Sequence, residues 1–179
     1  NFSVPESAVT NIKLALGNKI PVVCGTTGWL NRISEVEKFC IKNDSSFFSA
    51  SNFSIGVNIF FKVNKYLAKL MSSETLGYRA SIEEIHHAEK LDSPSGTAIS
   101  LAEDIINSSV YEKWELGTQK NKSLKIESIR DGDNPGTHSV NYVSKLDEIS
   151  IKHEAYKRDG FALGAVIAAE WLVNKKGIF

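Results

Sequence analysis

The stretch His86-His87-Ala88-Glu89-Lys90-Leu91-Asp92-Ser93-Pro94-Ser95-Gly96-Thr97-Ala98 puts two imidazoles, an ammonium group and a Ser-Gly-Thr turn within thirteen residues. Imidazole has an unperturbed pKa of about 6.5, so it gives or takes a proton near neutrality. A Ser-Gly-Thr turn that opens a helix offers free backbone N–H groups and the positive end of a dipole to an anion. Acid/base groups beside such a cradle fit proton chemistry on a small carboxylate or phosphate compound. Each residue also has a plainer use: a single Lys is by default solvated, and Asp92 can simply brace the turn. It is the crowding of these types into one stretch that favours a site.

A second group of residues sits earlier in the chain. Gly25-Thr26-Thr27-Gly28 directly follows the apolar run Ile20-Pro21-Val22-Val23-Cys24, and Ala50-Ser51-Asn52-Phe53-Ser54 follows Phe47-Phe48-Ser49. In open α/β sheets ligands bind beyond the carboxyl ends of the strands, where small residues let backbone approach them. Two such turns after successive strands point to a shared cofactor crevice. Arg130 and Arg158 each flank a turn from which a guanidinium could hold a carboxylate bidentately. His138 lies at the mouth of a turn after Pro135-Gly136, whereas His153 fits a structural or a functional role equally well. The four histidines lack His-Glu-x-x-His or Cys/His ligand spacing, so no metal site is expected. A Ser/His/Asp hydrolase is disfavoured because the Gly-x-Ser-x-Gly elbow is missing.

The elements that must position these groups follow from periodicity. Pro5 to Gly17 reads as a helix with Pro near its start, and a second helix is expected from Ser34 to Lys42. Between and after them lie two buried strands, so helix and strand alternate as in a parallel α/β sheet. From Ile55, Gly56, Phe60, Val63, Leu67 and Leu70 mark the apolar stripe of a helix of about five turns, ended by Gly77. A strand follows over Tyr78–His87, then a helix carrying Ala98, Leu101, Ala102, Ile105 and Ile106. Residues 109–122 read as a polar surface loop. Three strands are expected over Ser123–Arg130, Thr137–Lys145 and Glu148–Ala155, the first two joined by the strong turn signal Asp131–Gly136. A last helix over Phe161–Lys175 carries Gly164, Ala165, Ala168 and Ala169, small enough for another element to pack closely. The fold class is α/β: the C-terminal part of a Rossmann-like parallel sheet plus an α+β domain with a mixed, mostly four-stranded sheet. Residues 1–54 and 159–179 are assigned to the first domain and 55–158 to the second.

Composition narrows the function. The 179 residues carry 21 basic and 21 acidic side chains, for a formal net charge of zero, with no basic stripe that would read nucleic acid. The apolar runs are too short for a membrane span. Cys24 and Cys40 lie in apolar segments and read as reduced, buried thiols of a cytoplasmic protein.

Read together, these stretches resemble the 4-hydroxy-tetrahydrodipicolinate reductase (dihydrodipicolinate reductase) family of the diaminopimelate route to lysine. Glu84-Ile85-His86-His87-Ala88-Glu89-Lys90-Leu91-Asp92-Ser93-Pro94-Ser95-Gly96-Thr97-Ala98 is similar to its signature. Val22–Trp29 resembles its nicotinamide-side loop, and Ala50–Asn58 its second cofactor loop with the following helix. Arg130-Asp131-Gly132, Gly136-Thr137-His138 and His153–Leu172 continue the likeness in order. The resemblance implies NADPH- or NADH-dependent reduction of a cyclic imine dicarboxylate, giving tetrahydrodipicolinate. It implies His86 as general acid/base and Lys90 as a second proton donor, with His87, Ser95, Gly96 and Thr97 binding the small dicarboxylate. Gly25, Thr26, Thr27, Ala50, Ser51, Asn52 and Phe53 would hold the nicotinamide end, with closure between the two domains. A homotetramer formed through the sheet of the second domain is also implied. The family's Gly-x-x-Gly-x-x-Gly loop does not occur in these residues, so this chain by itself is expected to bind cofactor weakly, and the activity concerns the intact protein. A non-catalytic ligand-binding module of the same fold, or a reductase of a related imine or keto acid, are the competing readings. The paired acid/base groups argue against the module.

Overall fold

The computed structural model describes residues 1–73 and 77–179. In chain order the elements are α1 (Pro5–Gly17), β1 (Val22–Cys24), a 3₁₀ turn (Leu30–Arg32), α2 (Ile33–Lys42), β2 (Ser46–Ser49), α3 (Ile55–Leu70) and β3 (Arg79–His86). There follow α4 (Gly96–Ile106), β4 (Lys113–Leu116), β5 (Ser123–Arg130), β6 (Thr137–Val143), β7 (Glu148–Glu154), α5 (Asp159–Leu172) and β8 (Gly177–Ile178). They form two compact units, one of Asn1–Ile55 with Asp159–Phe179 and one of Gly56–Arg158.

The first unit is built on a parallel sheet in the order β1-β2-β8. Pro5 opens α1, where its missing N–H costs nothing and its fixed φ already suits a helix. Ala8, Val9, Ile12 and Leu16 line the inner side of α1 and meet Val22, Cys24, Val36, Cys40 and Phe47 in one core. Each large aliphatic side chain buried this way contributes about 1.5–3 kcal/mol. Cys24 and Cys40 are both buried free thiols. The expected small-residue face of α5 narrows to one position: a Cβ on Gly164 would lie 1.7 Å from the Phe53 carbonyl oxygen. That glycine lets α5 lie directly on the backbone beyond β2. The strand β8 lies beyond the last helix, in a tail that gave no strand pattern of its own.

The second unit holds a five-stranded mixed sheet, β4-β5-β3-β6-β7, with β4, β5 and β3 parallel and β6 and β7 antiparallel. The expected sheet is one strand short, because β4 lies inside the stretch read as a loop. Its four residues, Lys-Trp-Glu-Leu, pair with Ser123–Ile126 at the sheet edge, a length too short to show alternation among polar neighbours. Ala98, Leu101, Ala102 and Ile105 of α4 pack on Ala80, Ile82, Leu124, Ile126 and Val140.

The helix α3 departs from its expected stripe. Val57, Phe60, Asn64 and Ala68 face the core, while Ile59, Val63, Tyr66 and Leu70 are exposed. Apolar residues occupy two sides of this helix, so periodicity alone does not choose between them. Asn64 is accommodated in the core because its Nδ2 donates to the Leu101 carbonyl at 3.1 Å. The helix ends at Leu70 rather than Gly77, and residues 74–76 of the expected extension lie outside those described.

The approach of α5 gives a direct test. Gly164→Ala is expected to destabilise the protein by about 2 kcal/mol or more through overpacking against rigid backbone, read as a lower urea midpoint at unchanged slope.

Candidate active site

The site in the second unit is laid out by strand register. Period-two alternation puts Ala80, Ile82, Glu84 and His86 of β3 on the inner face. Ser128 of β5 pairs with Glu84, which pairs with His138 of β6, which pairs with His153 of β7. Two residues further along, on the same face, His86 pairs with Arg130. Cross-strand partners on one face are about 5 Å apart, so this register alone brings the polar groups together.

Glu84 is the hub of the arrangement, and it is 0% exposed. Its carboxylate accepts from the Ser95 N–H at 3.0 and 3.1 Å, from Ser128 Oγ at 2.7 Å and from Arg130 Nη2 at 3.3 Å. His86 Nδ1 lies 3.4 Å and His138 Nε2 3.6 Å from its second oxygen. Burial pushes the Glu84 carboxyl upward, but hydrogen bonds from His138, Ser95 and Ser128 outweigh it and hold the group well below the usual carboxylate range.

His86 is 7% exposed, and its ring meets the His138 ring edge to face with centroids 4.9 Å apart. Burial, followed by the charges of His138, Lys90 and Arg130, pushes its pKa down to about 4, against the opposing pull of Glu84. The ring is therefore neutral near pH 7. A Cβ on Gly136, where φ is +146°, would lie 3.1 Å from His86 Nε2, so glycine keeps the turn close without crowding the ring. That turn is tied to the end of β3 by His87 N–H to Asn134 O at 2.8 Å, Ala88 N–H to Gly132 O at 3.1 Å and Asp131 N–H to His86 O at 2.8 Å. His87 is half-buried beside it.

Ser95 is the N-cap of α4. Its Oγ accepts from Ala98 N–H at 3.2 Å and lies 3.1 Å from His138 Nε2, while its own N–H serves Glu84. Among the described residues the N–H groups of Gly96 and Thr97 have no protein partner, and the space around Gly96 is open. Lys90 Nζ pairs with Asp92 Oδ1 at 2.6 Å and is partly exposed. Arg130 is engaged, donating from Nη1 to Ile129 O at 2.9 Å and from Nη2 to Asp92 O at 2.6 Å. Arg158 is exposed at the edge of this unit.

Glu84 and Ser128 escaped the sequence reading. The alternation that puts Ala80 and Ile82 in the core also carries Glu84 there, and that was the available signal. Ligand atoms of Glu84, His86 and His138 lie within 4.8 Å of one another, close enough for a cation. Two of the three are already engaged in hydrogen bonds: Glu84 holds two neutral donors and a guanidinium, and His138 Nε2 adjoins Ser95 Oγ, whereas His86 Nδ1 has no hydrogen-bond partner.

In the first unit, the loops after β1 and β2 emerge at the same sheet end, joined by Ala50 N–H to Cys24 O at 3.2 Å. A crevice of about 400 Å³ opens there, lined by Thr26, Thr27, Leu30, Ile33, Glu37, Phe47, Ser49, Ala50, Ser51, Ile178 and Phe179. Thr27 and Ser51 are exposed on it. Thr26 is buried, and its Oγ1 accepts from Ser3 N–H at 2.9 Å. Asn52 Oδ1 accepts from Ser54 N–H at 2.8 Å, which shapes the second loop. Phe53 is buried against Phe2 and Phe48 at 5.6 and 5.8 Å, and the Phe2 ring covers Gly25 so closely that a Cβ there would meet it at 2.2 Å. Thr26, Thr27, Ala50 and Ser51 thus line the crevice, Thr26 also tying the first loop to Ser3, while Gly25, Asn52 and Phe53 shape the loops around it.

A parallel α/β unit with a crevice at its strand ends thus precedes a unit in which two buried imidazoles adjoin the capped end of a helix. The family model described as dihydrodipicolinate reductase, N-terminus, matches residues 1–53, and that described as dihydrodipicolinate reductase, C-terminus, matches residues 56–179. A 4-hydroxy-tetrahydrodipicolinate reductase of Christiangramia forsetii is 49% identical over all of this chain and 75% of its own length. One of Methanocaldococcus jannaschii is 35% identical over all of this chain and 67% of its own. A dihydrodipicolinate reductase of Paenisporosarcina sp. TG-14, solved with dipicolinate bound, shares the fold with a TM-score of 0.77 at 22% identity, over 99% of this chain and 71% of that one. The chain belongs to the dihydrodipicolinate reductase family. Its intact form is an NAD(P)H-dependent oxidoreductase of 4-hydroxy-tetrahydrodipicolinate in the diaminopimelate route to lysine.

The depressed His86 pKa has a consequence for stability. Between pH 6.5 and about 4 the unfolded chain binds a proton at this residue more readily than the folded one does, so acidification through that window costs stability. The buried Glu84 carboxylate adds its own loss only below its ordinary pKa of 4.5. His86→Gln should flatten the fall in urea midpoint from pH 6.5 to 4.5 and leave the steeper fall below it.

Proposed function

We propose that the second unit binds and protonates the substrate while the first carries the nicotinamide end of the cofactor. The observation that supports this most is the joining of His86, through the His138 ring, to the cap of a helix whose next two N–H groups are free. In this reading one substrate carboxylate accepts from the Gly96 and Thr97 N–H groups at the positive end of α4. Thr97 Oγ1 and His87 complete its surroundings, and Ser95 holds the turn in shape. NAD(P)H, when bound, supplies the hydride.

Hydride addition to a conjugated imine builds negative charge toward the ring nitrogen, and a positioned donor must meet it. Lys90 carries a proton on a side chain whose carboxylate partner, Asp92, is itself exposed and can be exchanged for substrate. His86 enters neutral, and a dianionic substrate beside it stabilises the imidazolium and raises its pKa. The neutral ring accepts a proton and the imidazolium returns it, which is the behaviour asked of an acid/base group.

Thr26, Thr27, Ala50 and Ser51 fit contact with the nicotinamide end, since they line the crevice at the strand ends. Gly25, Asn52 and Phe53 fit a role in holding the two loops. The reading extends to the assembly: a homotetramer formed through the sheet face that carries Ser81, Glu83 and Ile85, which light scattering on the intact protein would test. The free buried thiols support a cytoplasmic setting, and among the described residues no helix is long and apolar enough to cross a membrane.

Two substitutions separate the roles in the full-length protein, followed by NAD(P)H consumption with 4-hydroxy-tetrahydrodipicolinate. His86→Gln should lower kcat by about 10²–10⁴-fold with little change in KM. Gly96→Pro puts proline at the first helical position, where it is tolerated, and removes one carboxylate donor. It should raise KM by about tenfold or more, the worth of a hydrogen bond to a charged group. An unchanged KM would remove the α4 turn from substrate binding.

A further inference from the structure

Glu84 lies outside every role assigned above, yet it touches most of the groups that hold one. Its carboxylate reaches α4 through the Ser95 N–H, β5 through Ser128 and Arg130, β3 through His86 and β6 through His138. Arg130 in turn bridges Glu84 and the carbonyl of Asp92, three residues before the Ser95 cap of α4. The carboxylate is completely buried, so no solvent dipole can stand in for a lost partner.

We propose that Glu84 is the positioning residue of this active site, fixing the first turn of α4 and the His86 and His138 rings in one mutual arrangement. The proposal rests on the reading of α4 and His86 as the substrate site. Glu84 itself touches no substrate in this scheme. It acts by occupying the Ser95 N–H, which orients the two N–H groups that follow, and by facing His86 Nδ1, which leaves Nε2 as the outward nitrogen. The charged and titratable groups around it are Arg130 on β5, His138 on β6 and His86 on its own strand, with Lys90 and Asp92 beyond.

The test uses the full-length protein with Glu84→Gln, which keeps the shape and removes the charge, and Glu84→Asp, which keeps the charge and shortens its reach. Three readouts are taken: hydrogen exchange of residues 93–99, dipicolinate affinity by calorimetry, and steady-state kinetics. In Glu84→Gln, exchange should quicken in 93–99 while the first unit stays as in the parent. Dipicolinate binding should weaken at least tenfold, and KM for the dicarboxylate should rise with kcat falling. Glu84→Asp should not rescue these losses, because the shortened side chain cannot span from Ser95 to Arg130. A Glu84→Gln protein that exchanges slowly over 93–99 and binds dipicolinate like the parent overturns the proposal. So does a loss of thermal stability with KM and affinity unchanged, which is the signature of a merely structural carboxylate. If the parent itself fails to bind dipicolinate, the substrate reading falls, and exchange over 93–99 still decides whether Glu84 holds the turn.

Discussion

Moving a carboxylate from water to a protein interior costs several kcal/mol even after relaxation, so a fully buried one must be met on all sides. Glu84 is met by a backbone N–H, a hydroxyl and a guanidinium, each a charge-assisted bond worth about 1.5–3 kcal/mol. Those partners come from β5 and from the residue that caps α4. The sheet register and the placement of the helix are therefore conditions for burying this one charge. A shift of β3 by a single residue would turn Glu84 outward and Glu83 inward, breaking every one of these bonds. The local fold of the second unit and the electrostatics of its site are the same constraint.

The balance of charge around the site follows from it. Arg130 neutralises Glu84 and is thereby withdrawn from any ligand, although a guanidinium beside a turn is an obvious carboxylate binder. With that pair closed, His86 sits among His138, Lys90 and Arg130, all of which discourage a second positive charge. Burial is the larger reason for its neutrality, and the charge already placed around it adds to that effect. Lys90, by contrast, is paired with an exposed carboxylate, that of Asp92.

Much of this was legible from the order of residues alone. Helix α1 begins at its proline and ends at its glycine, and the strand-end loops Gly25–Thr27 and Ala50–Asn52 flank a real crevice. The Ser-Gly-Thr turn opens α4 as the capping rule requires. What escaped has physical reasons. Strand β4 has four residues and takes its strand character from a partner, β5, distant from any local pattern. Helix α3 carries apolar residues on two sides, and only the tertiary fold selects Val57, Phe60 and Ala68 for the core. Glu84 was passed over because carboxylates are expected in water. Reading β3 by alternation instead of by residue type would have placed it beside His86.

The helix N-terminus shows how finely the donors are apportioned. An α-helix begins with four N–H groups that have no partner within the helix. At α4 these belong to Ser95, Gly96, Thr97 and Ala98. The first is spent on Glu84 and the last on the Ser95 hydroxyl, leaving two adjacent donors. A carboxylate has two oxygens, so two donors match one carboxylate group without leaving a third buried N–H unsatisfied. What looks in the sequence like a general anion cradle is, in the folded chain, narrowed to the Gly96 and Thr97 N–H groups, because the buried Glu84 takes the Ser95 N–H for itself.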